Sequence, residues 1–123
     1  NGGDIWLGLT SACTVAVFAG RSPLSNRVGL RVEPEHSPLS ICTSSGTVGH
    51  SLSLGQADAA VAIAASGALA DAAATAIGNA VSGPRAVEAG LLAAQGIPGL
   101  LGAVVIFGER LGAWGELVEL VRL

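Results

Sequence analysis

Asp71, Thr75 and Asn79 recur at steps of four within the Ala-rich segment 66–81. In a helix that spacing stacks the three side chains on one side, about one turn apart. Asp71 and Thr75 then offer two hard oxygens. Mg²⁺ accepts such a partial set and keeps water or a substrate phosphate on its other positions. The same pair has a purely structural reading, with Asp71 capping a loop or meeting an arginine while Thr75 bonds back to its own helix. The neighbours are small and apolar, which predicts a helix lodged between other elements with its carboxylate buried. A buried carboxylate must be hydrogen-bonded, ion-paired or bound to a cation, and the chain has no lysine to serve.

A second cluster, Thr43-Ser44-Ser45-Gly46-Thr47-Val48-Gly49-His50-Ser51, follows a strand-like run. Its glycines let backbone N–H groups turn toward an anion and its hydroxyls add donors, so it reads either as a phosphate cradle or as an ordinary Ser/Gly turn. It is not a P-loop, because no Gly-Lys-Ser/Thr opens a helix. His50 is the candidate general base or metal ligand, against the plainer reading of a solvated loop histidine. Gly2, Gly3 and Asp4, just ahead of another strand, either let backbone approach a ligand or form a tight turn. Ser11, Cys13 and Cys42 are possible nucleophiles without an adjacent activating histidine or cation, which argues against covalent catalysis.

The elements that must position these residues follow from periodicity. Residues 3–9 and 13–20 read as strands joined by the Thr10-Ser11-Ala12 turn, 27–33 as a half-exposed strand, and 39–43 as a short one. Pro34 and Pro38 bracket a loop holding Glu35 and His36. Residues 57–65 read as a buried strand, and Ser66 as the N-cap of a helix over 68–81. Residues 85–95 form a second helix closed by Gly96 and Pro98. Residues 102–107 and 114–123 complete a hairpin turned by 108–112. The fold class is α+β, with a mixed or antiparallel sheet packed on two helices, in one domain over 1–123.

Composition narrows the function. Half of the 123 residues are apolar and 12% are charged, which excludes disorder. Six scattered arginines against nine acids give a net charge of −3 and no basic stripe, so nucleic-acid binding is not expected. Gly96, Pro98, Gly99 and Gly102 interrupt the most apolar stretch, so no membrane span is expected. Two cysteines in a chain with an ample core are expected as free thiols. The chain opens at Asn1 without an initiator Met, which predicts processing or further N-terminal chain.

Three pieces in order, Asn-Gly-Gly-Asp-Ile at 1–5, Cys-Thr-Ser-Ser-Gly at 42–46 and Leu-Ala-Asp-Ala-Ala-Ala-Thr-Ala at 69–76, resemble the C-terminal half of ApbE-type proteins. That superfamily contains the Mg²⁺-dependent FAD:protein FMN transferases, and the resemblance is nearest to its shorter, uncharacterised members. It implies a duplicated α+β fold of which this chain covers the second half, with an N-terminal half or partner chain completing it, or a homo-oligomer. It also implies Mg²⁺ on Asp71 and Thr75, and FAD or another nucleotide against Gly2, Gly3, Asp4, Thr43, Ser44, Ser45 and Gly46. His50 would be the base, and the compartment cytoplasmic. No Asp-Pro follows His50, unlike the transferases' histidine motif. Three functions are therefore carried forward: an active FMN transferase, a flavin- or nucleotide-binding module without the chemistry, and a structural or assembly subunit.

Overall fold

The computed structural model describes residues 3–45, 56–116 and 118–123. Eight strands and two helices run in the order β1 (Asp4–Leu7), β2 (Cys13–Ala16), β3 (Val28–Val32), β4 (Leu39–Ser44), β5 (Ala59–Ala64), α1 (Gly67–Ala80), α2 (Ala86–Gln95), β6 (Gly102–Phe107), β7 (Arg110–Trp114) and β8 (Leu120–Arg122). A short 3₁₀ turn at Pro34–His36 stands between β3 and β4. One antiparallel sheet has the order β1-β4-β5-β6-β7 and a second has β2-β3-β8. The α+β expectation holds, with two sheets and every pairing antiparallel.

The five-stranded sheet is the middle layer. Its central strand β5 is buried along its whole length, which suits a continuous run of Ala, Val and Ile. Strand residues alternate between faces. Cys42, Ala60, Ala62, Ala103 and Val105 therefore meet Ala70, Ala73, Ala74 and Ile77 of α1. On the other face, Leu39, Ile41, Val61, Ile63, Val104 and Ile106 pack against Val17, Leu30 and Val32 of the second sheet side. Burial of these side chains on both faces of one sheet holds the three layers together, at roughly 1.5–3 kcal/mol for each large aliphatic side chain.

Ser66 caps α1 as expected, its hydroxyl accepting the Leu69 N–H at 3.3 Å. Two expectations about pairing are corrected. β1 and β2 do not form a hairpin: β1 pairs with β4 and β2 with β3, in different sheets. The stretch 114–123 is not one strand either. Gly108, at φ +61°, turns the chain within two residues, so the hairpin partner of β6 is Arg110–Trp114. At Gly115, φ +113°, a Cβ would collide with the Leu101 carbonyl; the chain bends there and returns as β8 on β3.

The expected burial of the Asp71 stripe is also corrected. Asp71, Thr75 and Asn79 lie on the exposed side of α1, because the sheet and α2 cover only the side carrying Ala70, Ala73, Ala74, Ile77 and Gly78. No helix among the described residues is long and apolar enough to cross a membrane.

Candidate functional site at the open edge of the large sheet

Strand β1 forms an edge of the five-stranded sheet. Its register sets Asp4 opposite Cys42 and Trp6 opposite Ser40. These four residues, with Ile5 and Gly67 from the start of α1, line a cavity of about 250 Å³. The polar row Ser40, Cys42 and Ser44 runs beneath α1. A Cβ built on Gly67 would sit 3.6 Å from the Ser40 hydroxyl, and one on Gly78 3.5 Å from that of Ser44. The helix therefore lies close over the row, with Asp71 and Thr75 on its exposed side.

Cys42 reports the local field. It is buried, and its thiol is pushed up to about 12 from an ordinary 9.0. Burial is the first cause; its hydrogen bond to Asp4 and the charges of Asp4 and Asp71 add to it. Both carboxylates thus act on one point in the cavity wall. Such a thiol stays protonated at neutral pH. The side chain also contacts the Gly67 carbonyl at 3.9 Å.

Trp6 is the conspicuous residue that sequence reasoning passed over. It is 68% exposed on an edge strand. Its ring lies over Gly8, where an added Cβ would stand 2.7 Å from the ring. One signal was present: Gly8 two residues beyond Trp6, on the same side of an extended chain, leaves room for a large ring to lie down.

Among the described residues the ion pair formed is Arg31–Glu33 at 2.7 Å, so neither Asp4 nor Asp71 has an arginine partner there. Neither does any group of three His, Cys, Asp or Glu gather at a metal-binding spacing among them. The groove's own lining offers the Asp4 carboxylate and the Ser40 hydroxyl. The Asp71 carboxylate, on the exposed side of α1, is near enough for its charge to act on Cys42. All are hard oxygens, the set from which Mg²⁺ takes one or two carboxylates while retaining water.

The rest of the sequence-derived site divides. Gly3 is described and its carbonyl accepts the Thr43 N–H at 3.3 Å. Thr43, on the opposite face of β4 from Cys42 and Ser44, does not share their row. Ser45 follows the end of β4 and is half-buried. Gly2, Gly46 and His50 lie outside the described residues.

Residues 1–95 match the model of a family described as AbpE bacteria. The UPF0280 protein of Methanosarcina barkeri is 48% identical over 123 residues, covering 99% of this chain and 48% of that protein. The UPF0280 protein of Methanosarcina acetivorans is 46% identical, with the same coverage. That of Methanocella arvoryzae is 41% identical over 122 residues, 99% of this chain and 49% of its own length. The chain spans about half the length of the curated relatives it matches. These matches correct the resemblance to the ApbE-type FMN transferase superfamily, since they run to AbpE bacteria and UPF0280 proteins instead. The motifs behind that resemblance are rich in Gly, Ala and Ser. In α1 these small residues answer a packing demand, the close approach of helix to sheet at Ala70, Ala73, Ala74 and Gly78.

Proposed function

The chain belongs to the AbpE bacteria family, and on that premise we propose that its edge groove binds a phosphate-bearing small molecule, a flavin or related nucleotide, together with a divalent cation. The observation that carries this reading is the convergence of Asp4 and Asp71 on Cys42, with no arginine partner for either carboxylate among the described residues. A divalent cation there would neutralise the carboxylates while recruiting phosphate oxygens. Asp71, Thr75 and Asp4 would hold the cation, and its chemistry there is charge neutralisation of the phosphate.

Trp6 supports a ligand that carries a ring. An exposed indole seated on a glycine offers one open π-face beside the cavity. The relatives are about twice as long as this chain, and this reading draws the opposite wall of the groove from polypeptide they carry beyond the matched region.

The test is calorimetric titration of the full-length protein with FAD and with ATP, each with Mg²⁺ and with chelator. Binding that needs Mg²⁺ and disappears in Asp71→Asn is the expected result. Equal binding with and without Mg²⁺, or none to either nucleotide, rejects the reading.

A further inference from the structure

The two sheets part at the end where β7 and β8 lie, and the opening is a cavity of about 540 Å³. Its principal walls are Leu24, Val28, Leu111 and Leu120, with Arg27 and Arg122. Leu111 comes from the inner face of the large sheet, opposite Ile106, and Leu120 from the small sheet, opposite Leu30. The cavity is therefore the open end of the inter-sheet core. Arg122 of β8 stands across from Val28, and Arg27 immediately precedes β3, so both arginines lie at this end of the small sheet.

No Asp or Glu side chain lines this cavity, which Leu123 also borders. Among the described residues neither arginine forms an ion pair, although the third arginine of the sheet, Arg31, pairs with Glu33. Two of the chain's six cations thus share one apolar opening in a protein of net charge −3.

The wall at residues 22–27 is firmly tied. Ser22 is buried and donates its hydroxyl to the Gly108 carbonyl at 2.5 Å, while accepting the Leu24 N–H at 3.1 Å. Buried Asp58 accepts the Gly108 N–H at 2.7 Å. The Asn26 N–H reaches the Val17 carbonyl at 2.8 Å and that of Arg27 the Leu24 carbonyl at 2.9 Å. The loop is thereby fastened to the β6–β7 turn and to the chain beyond β2.

We propose that this cavity is a second binding site, distinct from the edge groove, for a small aliphatic monocarboxylate. The carboxylate would meet Arg27 and Arg122, whose planar guanidinium forks suit it, and the hydrocarbon body would lie on Leu24, Leu111 and Leu120. Charge complementarity selects an anion, since both charged residues that line the cavity are arginines. A lining of Leu and Val without an aromatic ring selects hydrocarbon over a base or sugar. The volume lies within the usual span of small-molecule pockets, roughly 300–1,000 Å³.

The experiment is calorimetric titration of the full-length protein with decanoate and with decanol, which share a hydrocarbon chain and differ in charge. Decanoate is expected to bind at least about tenfold tighter than decanol, in line with charge-assisted hydrogen bonds. The double substitution Arg27→Gln with Arg122→Gln should remove that advantage and leave decanol binding unchanged. Both side chains are exposed, so the fold should survive, and circular dichroism checks it. Single Arg→Lys variants, which keep charge but lose the fork, should fall between. Equal affinity for the two probes, a double variant that still prefers decanoate, or no binding overturns the proposal. Protection of the cavity in the full-length protein by another segment, or by a strand added to β8, overturns it as well.

Discussion

Asp4 and Cys42 face each other across β1 and β4, and the thiol is hydrogen-bonded to the Asp4 carboxylate. The folded pKa of about 12 lies above the ordinary 9.0. Below 9.0 both states keep the proton and the stabilisation is complete. As pH rises from 9.0 to about 12 the unfolded chain releases the proton first, so folding stability drains away. The slope is at most about 1.4 kcal/mol per pH unit. Denaturant melts across this window should show the loss, and Cys42→Ala should flatten it. Asp4→Asn should lower the thiol pKa in an ultraviolet thiolate titration.

A divalent cation in the edge groove would act on the same thiol in the opposite sense. Mg²⁺ near Asp4 and Asp71 offsets the negative charge that disfavours thiolate. Titrating Cys42 with and without saturating Mg²⁺ should therefore give a lower pKa with the ion. Asp71→Asn should abolish the Mg²⁺ effect, and Thr75→Val should weaken Mg²⁺ affinity several-fold. An unchanged thiol titration would remove the cation from the groove.

Removing the Trp6 ring should discriminate between ligands. Base–aromatic stacking contributes roughly 1–3 kcal/mol, so Trp6→Ala should weaken FAD or ATP by about five- to 150-fold. Inorganic pyrophosphate with Mg²⁺, which has no ring, should bind the variant as it binds the parent protein. Parallel losses for both would mean that Trp6 shapes the groove instead of reading the ligand.

Two helix glycines should respond in opposite directions to alanine. At Gly90 in α2 an added Cβ would stand 2.7 Å from a Val81 methyl and 3.1 Å from one of Val105, both on buried β-branched side chains. Gly90→Ala should cost about 1–3 kcal/mol by overpacking, despite alanine's better helix propensity. At Gly78 in α1 the nearest atoms lie at 3.5 Å and beyond, which is ordinary contact. Gly78→Ala should be neutral or stabilise by up to about 1 kcal/mol. Thermal melts of the two variants check the contrast.

Much of the fold was legible in local pattern. Ser66 announced the start of α1, the apolar run gave β5, and the alternation at 28–32 gave β3. Strand partners were not legible, because pairing depends on contacts distant in sequence. Nothing local says that β1 belongs with β4 rather than β2, or that 120–122 joins β3. In the site, the i, i+4 spacing placed Asp71 and Thr75 together on one side of α1, but their exposure depended on how far the sheet extends beneath the helix. Thr43 was grouped with Ser44 by adjacency, which strand alternation undoes. Trp6 was overlooked because a single aromatic has no period.

Alanine at 70, 73 and 74 spaces α1 from the sheet by little more than a layer of methyl groups. The height of Asp71 above Cys42 is thus governed by side chains that touch no ligand. A bulkier residue at one of these positions would jack the helix outward and widen the slot without altering a single polar atom. The shape of this edge can accordingly drift through hidden volume alone, leaving its polar atoms untouched.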